Sequence, residues 1–202
     1  MPRYTRKKWD NKYIVNSHNC YSYMLNKINK NYAKMCKKYR KKTRRSKCQF
    51  LKAQPGLYSG MRDVKHQRYY KCKNVDKRVL ADNKYIFKTK NTCPKNYYKG
   101  MLFVDPKTTY HFYRQDKDGL WSHKDGLNRV TRRDAKLKLI KNPRKASRKY
   151  LPTKRESGLY YSRYCSTYCI PESKKKKHFS SFTRKSLSKK RTKKRRNKTR
   201  KR

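Results

Sequence analysis

The clearest periodic pattern lies near the N-terminus. Tyr21, Met24, Leu25, Ile28, Tyr32, Met35, Cys36 and Tyr39 recur at three- and four-residue intervals, which lines them along one stripe of a helix. The spacing predicts a helix over Tyr21–Tyr39. Asn16, Ser17 and Asn19 precede it and can accept from the free N–H groups of a first turn. From Gly100 the pattern becomes that of strands. The runs MLFVD, YHFYRQD and LWSHK are separated by PKTT and KDG. Three short strands joined by two tight turns are expected, with Gly119 closing the second turn in the left-handed region. Between Gln49 and Cys93, QPG and SG interrupt the chain, and only Lys84–Phe87 is apolar. Loops and a minor strand are expected there. Arg129–Ile140 reads as a strand plus a short helix that Asn142-Pro143 ends, and Tyr160–Ile170 as a last strand returning to the sheet. One helix followed by an antiparallel meander is an α+β layout.

Composition changes how this core can be built. Hydrophobic residues make up 33% of the 202 residues, below the ~45–50% of ordinary domains, so no large aliphatic core is available. No run approaches the ~18–20 apolar residues of a membrane span, and MPRYTRKKWD lacks the apolar stretch of a secretory signal. Yet Tyr occurs 19 times, and disordered chains are poor in aromatics. A core rich in tyrosine is the expectation.

Charge adds a partner. The 63 Lys and Arg residues against 11 Asp and Glu give a formal charge of +52. Such a chain repels itself when compact and favours a polyanion. Seventeen of the basic residues lie in Ser173–Arg202, which has no acid and few large side chains. This segment is read as a disordered polybasic tail. A second run, Lys37–Lys47, has eight Lys/Arg in eleven positions and reads as a frayed helix end and a loop. The expected organisation is a basic N-terminal arm over 1–12, an α+β domain over 13–172 with a basic loop at 37–47, and the tail over 173–202. Candidate phosphate-neutralising residues are Lys37, Lys38, Arg40, Lys41, Lys42, Arg44 and Arg45 in the loop. In the tail they are Lys189, Lys190, Arg191, Lys193, Lys194, Arg195 and Arg196. The partner is nucleic acid, bound without regard to sequence, or an acidic protein. Alternatively, the tail is a nuclear-localisation signal or aids solubility.

Seven Cys, an odd number without dense spacing, point to reduced thiols rather than a disulfide scaffold. Zinc, with Cys165 and Cys169 as a half-site and Cys72 and Cys93 as distant ligands, lacks a second paired motif; no metal or cofactor is expected. Cys36, Cys165 and Cys169 read as buried, inert thiols. Cys20 differs, because it opens a helix, where the partial positive charge favours a thiolate. A thiolate nucleophile needs a base and a group that orients the base. His111 and His123 are the candidates. A three-residue loop of Lys117, Asp118 and Gly119 sets Tyr113 opposite His123 and brings both histidines to one sheet face. A four-residue loop would separate them.

A Cys at the head of an early helix, a strand His and a second polar residue one strand later resemble the NlpC/P60 branch of the papain-like fold. The resemblance implies Cys20 as nucleophile, His111 as base and His123 as its orienting partner, in a cysteine hydrolase of peptidase or amidase type. More closely, NCYSYML, AQPGLYSG, YHFYRQDKDGLWSHK and YCSTYCIP resemble an uncharacterised family of large DNA viruses, over roughly residues 13–171. That implies a virion-associated protein, in the host nucleus or a cytoplasmic virus factory during infection. The NlpC/P60 pattern has Asp before the Cys and Ser-Gly after it, whereas Asn19 and Tyr21 stand here. Other readings remain beside it. Cys20 can be a half-buried thiol, His111 a core residue and His123 a surface residue. Asp116 can be a turn residue or a His-orienting one, and Gln54 an oxyanion donor. A non-enzymatic DNA-packaging or minor capsid protein that keeps the fold without catalysis is the alternative function.

Overall fold

The structure, a computed structural model, describes residues 1–43, 48–61, 70–152 and 158–172. It is an α+β protein built on a six-stranded antiparallel sheet. The strands are β1 (Phe87–Thr89), β2 (Tyr97–Asp105), β3 (Thr109–Gln115), β4 (Trp121–Lys124), β5 (Val130–Thr131) and β8 (Arg163–Pro171), in the order β1-β8-β2-β3-β4-β5. A separate two-stranded ribbon pairs β6 (Lys149–Tyr150) with β7 (Leu159–Tyr160). The helices are α1 (Arg6–Trp9), α2 (Lys12–Val15), α3 (Cys20–Met24), α4 (Lys30–Thr43) and α5 (Cys72–Asp82). Among the described residues no helix is long and apolar enough to cross a membrane.

Alternation along the central strands divides the core into two layers. Leu102, Val104, Tyr110, Phe112, Tyr168 and Ile170 face α3 and α5, where they meet Tyr21, Met24, Val75 and Val79. Met101, Phe103 and Tyr113 face the other way, toward Trp121, Ile140 and Tyr161. The β3–β4 hairpin has the three-residue loop. The Asp116 N–H donates to Leu120 O at 2.9 Å, the Gly119 N–H donates to Asp116 O at 3.0 Å, and Gly119 has φ +82°. Tyr113 therefore stands opposite His123.

Several expectations are corrected. The stripe over Tyr21–Tyr39 is two helices, not one. Asn26 turns left-handed at φ 48°, a conformation that Asn tolerates better than most residues. The Asn29 side chain then accepts from the N–H groups of Asn31 and Tyr32, starting α4 afresh. Of the basic run at 37–47, residues 37–43 are the end of helix α4, so the helical part is longer than a frayed end, and residues 44–47 lie outside the described residues. Residues 1–12 are no free arm: Trp9 is buried against Tyr23 and Val130, and Pro2 O accepts from the Lys117 N–H at 2.9 Å. Helix α5 stands where loops were expected, and among the described residues no helix follows β5.

The cysteines differ most. Six of them form disulfides, Cys36–Cys48, Cys72–Cys165 and Cys93–Cys169, and only Cys20 is free. The odd count therefore reflects one thiol set apart, not seven reduced ones. Two bridges span 93 and 76 residues and pin α5 and the segment before β2 to β8. They take up Cys72, Cys93, Cys165 and Cys169, all four residues of the zinc reading.

Candidate functional site

Cys20 is the first residue of α3. Asn19 caps this helix, accepting from the Ser22 N–H at 3.2 Å. The Asn19 amide also donates to Ala53 O at 2.9 Å, tying the helix start to the 53–58 loop. The sulfur lies against β3, where the Phe112 backbone N–H points at it. Cys20 is 5% exposed. Burial pushes its thiol up to about 12, and the Phe112 N–H only partly offsets this. The resting residue is a neutral thiol.

His111 and His123 lie side by side, His111 Nε2 2.8 Å from His123 Nδ1. His123 Nε2 is 3.0 Å from the Arg133 carbonyl. A carbonyl only accepts, so His123 Nε2 carries the hydrogen. Burial lowers the affinity of both rings for protons, and the neighbouring imidazole lowers that of His111 further. Both are therefore neutral near pH 7. A neutral His123 with hydrogen on Nε2 has a bare Nδ1, so His111 Nε2 must donate to it. His111 Nδ1 is then left unprotonated. A chain of two hydrogen bonds thus assigns the lone pair of a general base. The rings are walled by Tyr161, stacked on His111 at 4.8 Å, and by Tyr113 at 4.9 Å.

The predicted trio is brought together in part. The two histidines share a face and a hydrogen bond. Cys20 reaches the same strand at the residue next to His111, but it packs with Phe112 on the helix face, whereas His111 pairs with Phe103 on the opposite one. No hydrogen bond between Cys20 and either imidazole is found among the described residues. Asp116 does not orient a histidine: it accepts from Arg114 at 2.9 Å and from Arg132 at 3.2 Å. Gln54 follows Ala53, the residue held by Asn19, and its side-chain oxygen accepts from the Tyr110 hydroxyl. The donor end of its amide is thereby kept at this end of β3.

Lys124 was not anticipated. It is fully buried, and its ammonium donates to the carbonyls of Val15 and Gly126 at 2.9 and 3.1 Å. Burial lowers it to about 7, against the opposing pull of Cys20 and nearby carboxylates. Strand alternation, which sets Lys124 on the face opposite His123, was the available signal. Of the basic candidates, Lys37, Lys38, Lys41 and Lys42 are exposed on α4, and Arg40 reaches the Lys12 carbonyl. Arg44, Arg45 and the tail residues Lys189, Lys190, Arg191, Lys193, Lys194, Arg195 and Arg196 lie outside the described residues. The fold and site together define an α+β protein with one free thiol beside a paired-histidine strand. Comparison of the chain with protein-family models, with curated proteins and with solved structures finds no match.

Proposed function

We propose that this chain is a basic cysteine hydrolase of peptidase or amidase type, with a papain-like, NlpC/P60-like domain held near a polyanion by its charge. The hydrogen-bonded pair of His111 and His123 carries the reading, because it leaves a proton acceptor on the strand that Cys20 touches. The reading requires α3 to shift against β3 when substrate binds, because Cys20 and His111 rest on opposite faces of that strand. His111 Nδ1 then takes the thiol proton, and the sulfur attacks an amide or ester carbonyl. The His111 imidazolium then protonates the leaving group, and water releases the acyl group from sulfur. His123, anchored by Arg133 O, holds the ring and spreads its charge. The Phe112 N–H supports the sulfur as it becomes negative. The charge of +52 suits a protein packaged beside a genome in a virion, or one bound to acidic capsid proteins.

The test is acylation of Cys20 by an activated ester, read by intact mass on the oxidised chain. Cys20 is the free thiol of that chain, so the acyl adduct has one site. Wild type should acylate at least 100-fold faster than His111→Ala at pH 7.5. A rate no greater than that of a free low-molecular-weight thiol, or one indifferent to His111, sinks the reading. Burial favours a second one. Cys20 is 5% exposed and each imidazole 1%, as expected of a chain that keeps the fold for packaging alone. Full nucleic-acid binding together with an inert Cys20 would support that reading.

A further inference from the structure

Two adjoining grooves cross the edge of the sheet near the N-terminus. One, of about 470 Å³, runs between Arg3, Lys117 and Arg132. The other, of about 410 Å³, runs between Arg6, Arg129 and Arg133. Tyr4 and Arg132 line both, so the two meet there. Arg132 is a fixed wall between them. Its guanidinium pairs with Asp116 and Asp118 at 3.2 and 2.8 Å and lies 4.3 Å above the Tyr4 ring. The Tyr4 hydroxyl in turn donates to Val130 O at 3.2 Å. The remaining cations are less committed. Among the described residues no carboxylate pairs with Arg3, Lys117, Arg129 or Arg133, and all four are exposed.

We infer that this double groove seats the phosphate backbone of a nucleic acid, separately from α4. The inference rests on the polyanion-binding part of the proposed function and not on Cys20. Two observations favour a long, evenly charged polymer over a small anion or an acidic patch. The grooves form one track, with exposed cations on both sides of Tyr4. Arg3 in the track also lies two residues from Met1, whose ammonium pairs with the Glu172 carboxylate at 2.5 Å, and Glu172 is next in sequence to the 17 Lys/Arg of residues 173–202. Arginine predominates, and its planar fork matches phosphate oxygens. Tyr4, wedged under Arg132, offers an aromatic surface against which a nucleotide can rest.

The experiment is a salt titration of binding by the full chain to a mixed-sequence 30-nucleotide DNA, single-stranded and duplex, read by fluorescence anisotropy. The variant Arg3→Gln/Lys117→Gln/Arg129→Gln leaves the buried network and Cys20 untouched. Each phosphate contact contributes about 0.7–0.9 to the slope of log K against log salt. The triple variant should lower that slope by about 2–3. The control Lys73→Gln/Lys77→Gln/Lys95→Gln, elsewhere on the surface, should lower it by less than about 1. Photo-crosslinking of halogenated DNA to the wild-type chain should label the peptide that contains Tyr4. Equal slopes for the two variants, or no crosslink at the N-terminus, overturn the groove. An equal loss of binding to polyglutamate assigns the surface to acidic protein and also overturns it. No binding of DNA by the wild-type chain would instead remove the polyanion reading itself.

Discussion

Asp116→Ala tests how the site is held in place. Asp116 and Arg114 are both fully buried, and Arg114 donates to the carboxylate through Nε at 3.2 Å and Nη2 at 2.9 Å. The same guanidinium stacks 3.9 Å from the Tyr23 ring and donates to the Tyr23 hydroxyl at 2.8 Å. It therefore clamps α3, which carries Cys20, to the hairpin that carries His111 and His123. Removing the carboxylate leaves a guanidinium charge without its counter-ion in the interior. Breaking a buried pair from one side costs about 3–5 kcal/mol. Arg132 adds little to this, being part-exposed and still able to use Asp118. For a chain of this size the cost corresponds to a fall of about 6–20 °C in Tm. Removing both charges should cost much less, because a buried pair and an apolar pair of similar volume are often close in stability. In the variant Arg114→Met/Asp116→Leu, Tyr23 keeps its 2.7 Å hydrogen bond to Ser122. Thermal unfolding of both variants, followed by circular dichroism, decides the point. A loss below about 1 kcal/mol for Asp116→Ala, or a double variant as unstable as the single, refutes the clamp.

Alkylation in denaturant should modify one thiol in the oxidised chain and all seven after reduction. Reduction should also lower Tm steeply, since loops of 93 and 76 residues are each worth about 4.5 kcal/mol in the loop-entropy picture. Stability should fall on acidification from about pH 6.5 toward pH 4. Burial lowers His18 to about 4, and burial likewise lowers His111 and His123. The unfolded chain therefore binds more protons across that window, and stability rises with pH there. A denaturation midpoint that stays flat from pH 7 to 4.5 contradicts this, and His18→Gln should flatten part of the slope. Gly100→Val should destabilise by about 1–3 kcal/mol, because a Cβ there would sit 2.7 Å from Ile170 Cδ1 and 2.8 Å from Met24 Sδ. Urea unfolding measures that loss, and Gly100→Val at wild-type stability would show that α3 does not rest on the sheet at this point.

Local rules carried the reading where contacts are local. The β3–β4 hairpin follows from a D-K-D-G loop and two-residue alternation, and so does the meeting of His111 with His123. Helix α5 was hidden because its buried face carries Asp76, Arg78 and Asp82 among Val75 and Val79, which breaks the apolar stripe. Those charges are answered by residues far along the chain. Asp76 accepts from Ser166 and Tyr168, and Asp82 from Tyr21, Gly56 and Ser59. The break at Asn26 was concealed in the opposite way, since the apolar stripe continues across it. The disulfides joined to β8 depend on partners brought close only by the sheet. Lys124 was obscure for the same reason, as burial and neighbours give it its interest.

The tyrosines explain how a chain poor in aliphatic residues positions its thiol. A helix of five residues has no stability of its own, so α3 must be fixed by tertiary contacts. Tyr21 donates to Asp82 at 2.7 Å, and Tyr23 shares a hydrogen bond with Ser122 at 2.7 Å. Tyr98 donates to the carbonyl of Met24 at 3.0 Å, at the helix end where that oxygen has no partner in the helix. Each ring supplies apolar bulk to the core and a hydroxyl that fixes direction. The same chemistry recurs beneath Cys20, where Tyr110 holds Gln54. A Leu-rich core could fill this volume but could not aim α3. Repulsion among the surface cations works against compactness throughout. The polar ties inside, together with the disulfides, are what keep the start of α3 against β3 in spite of it.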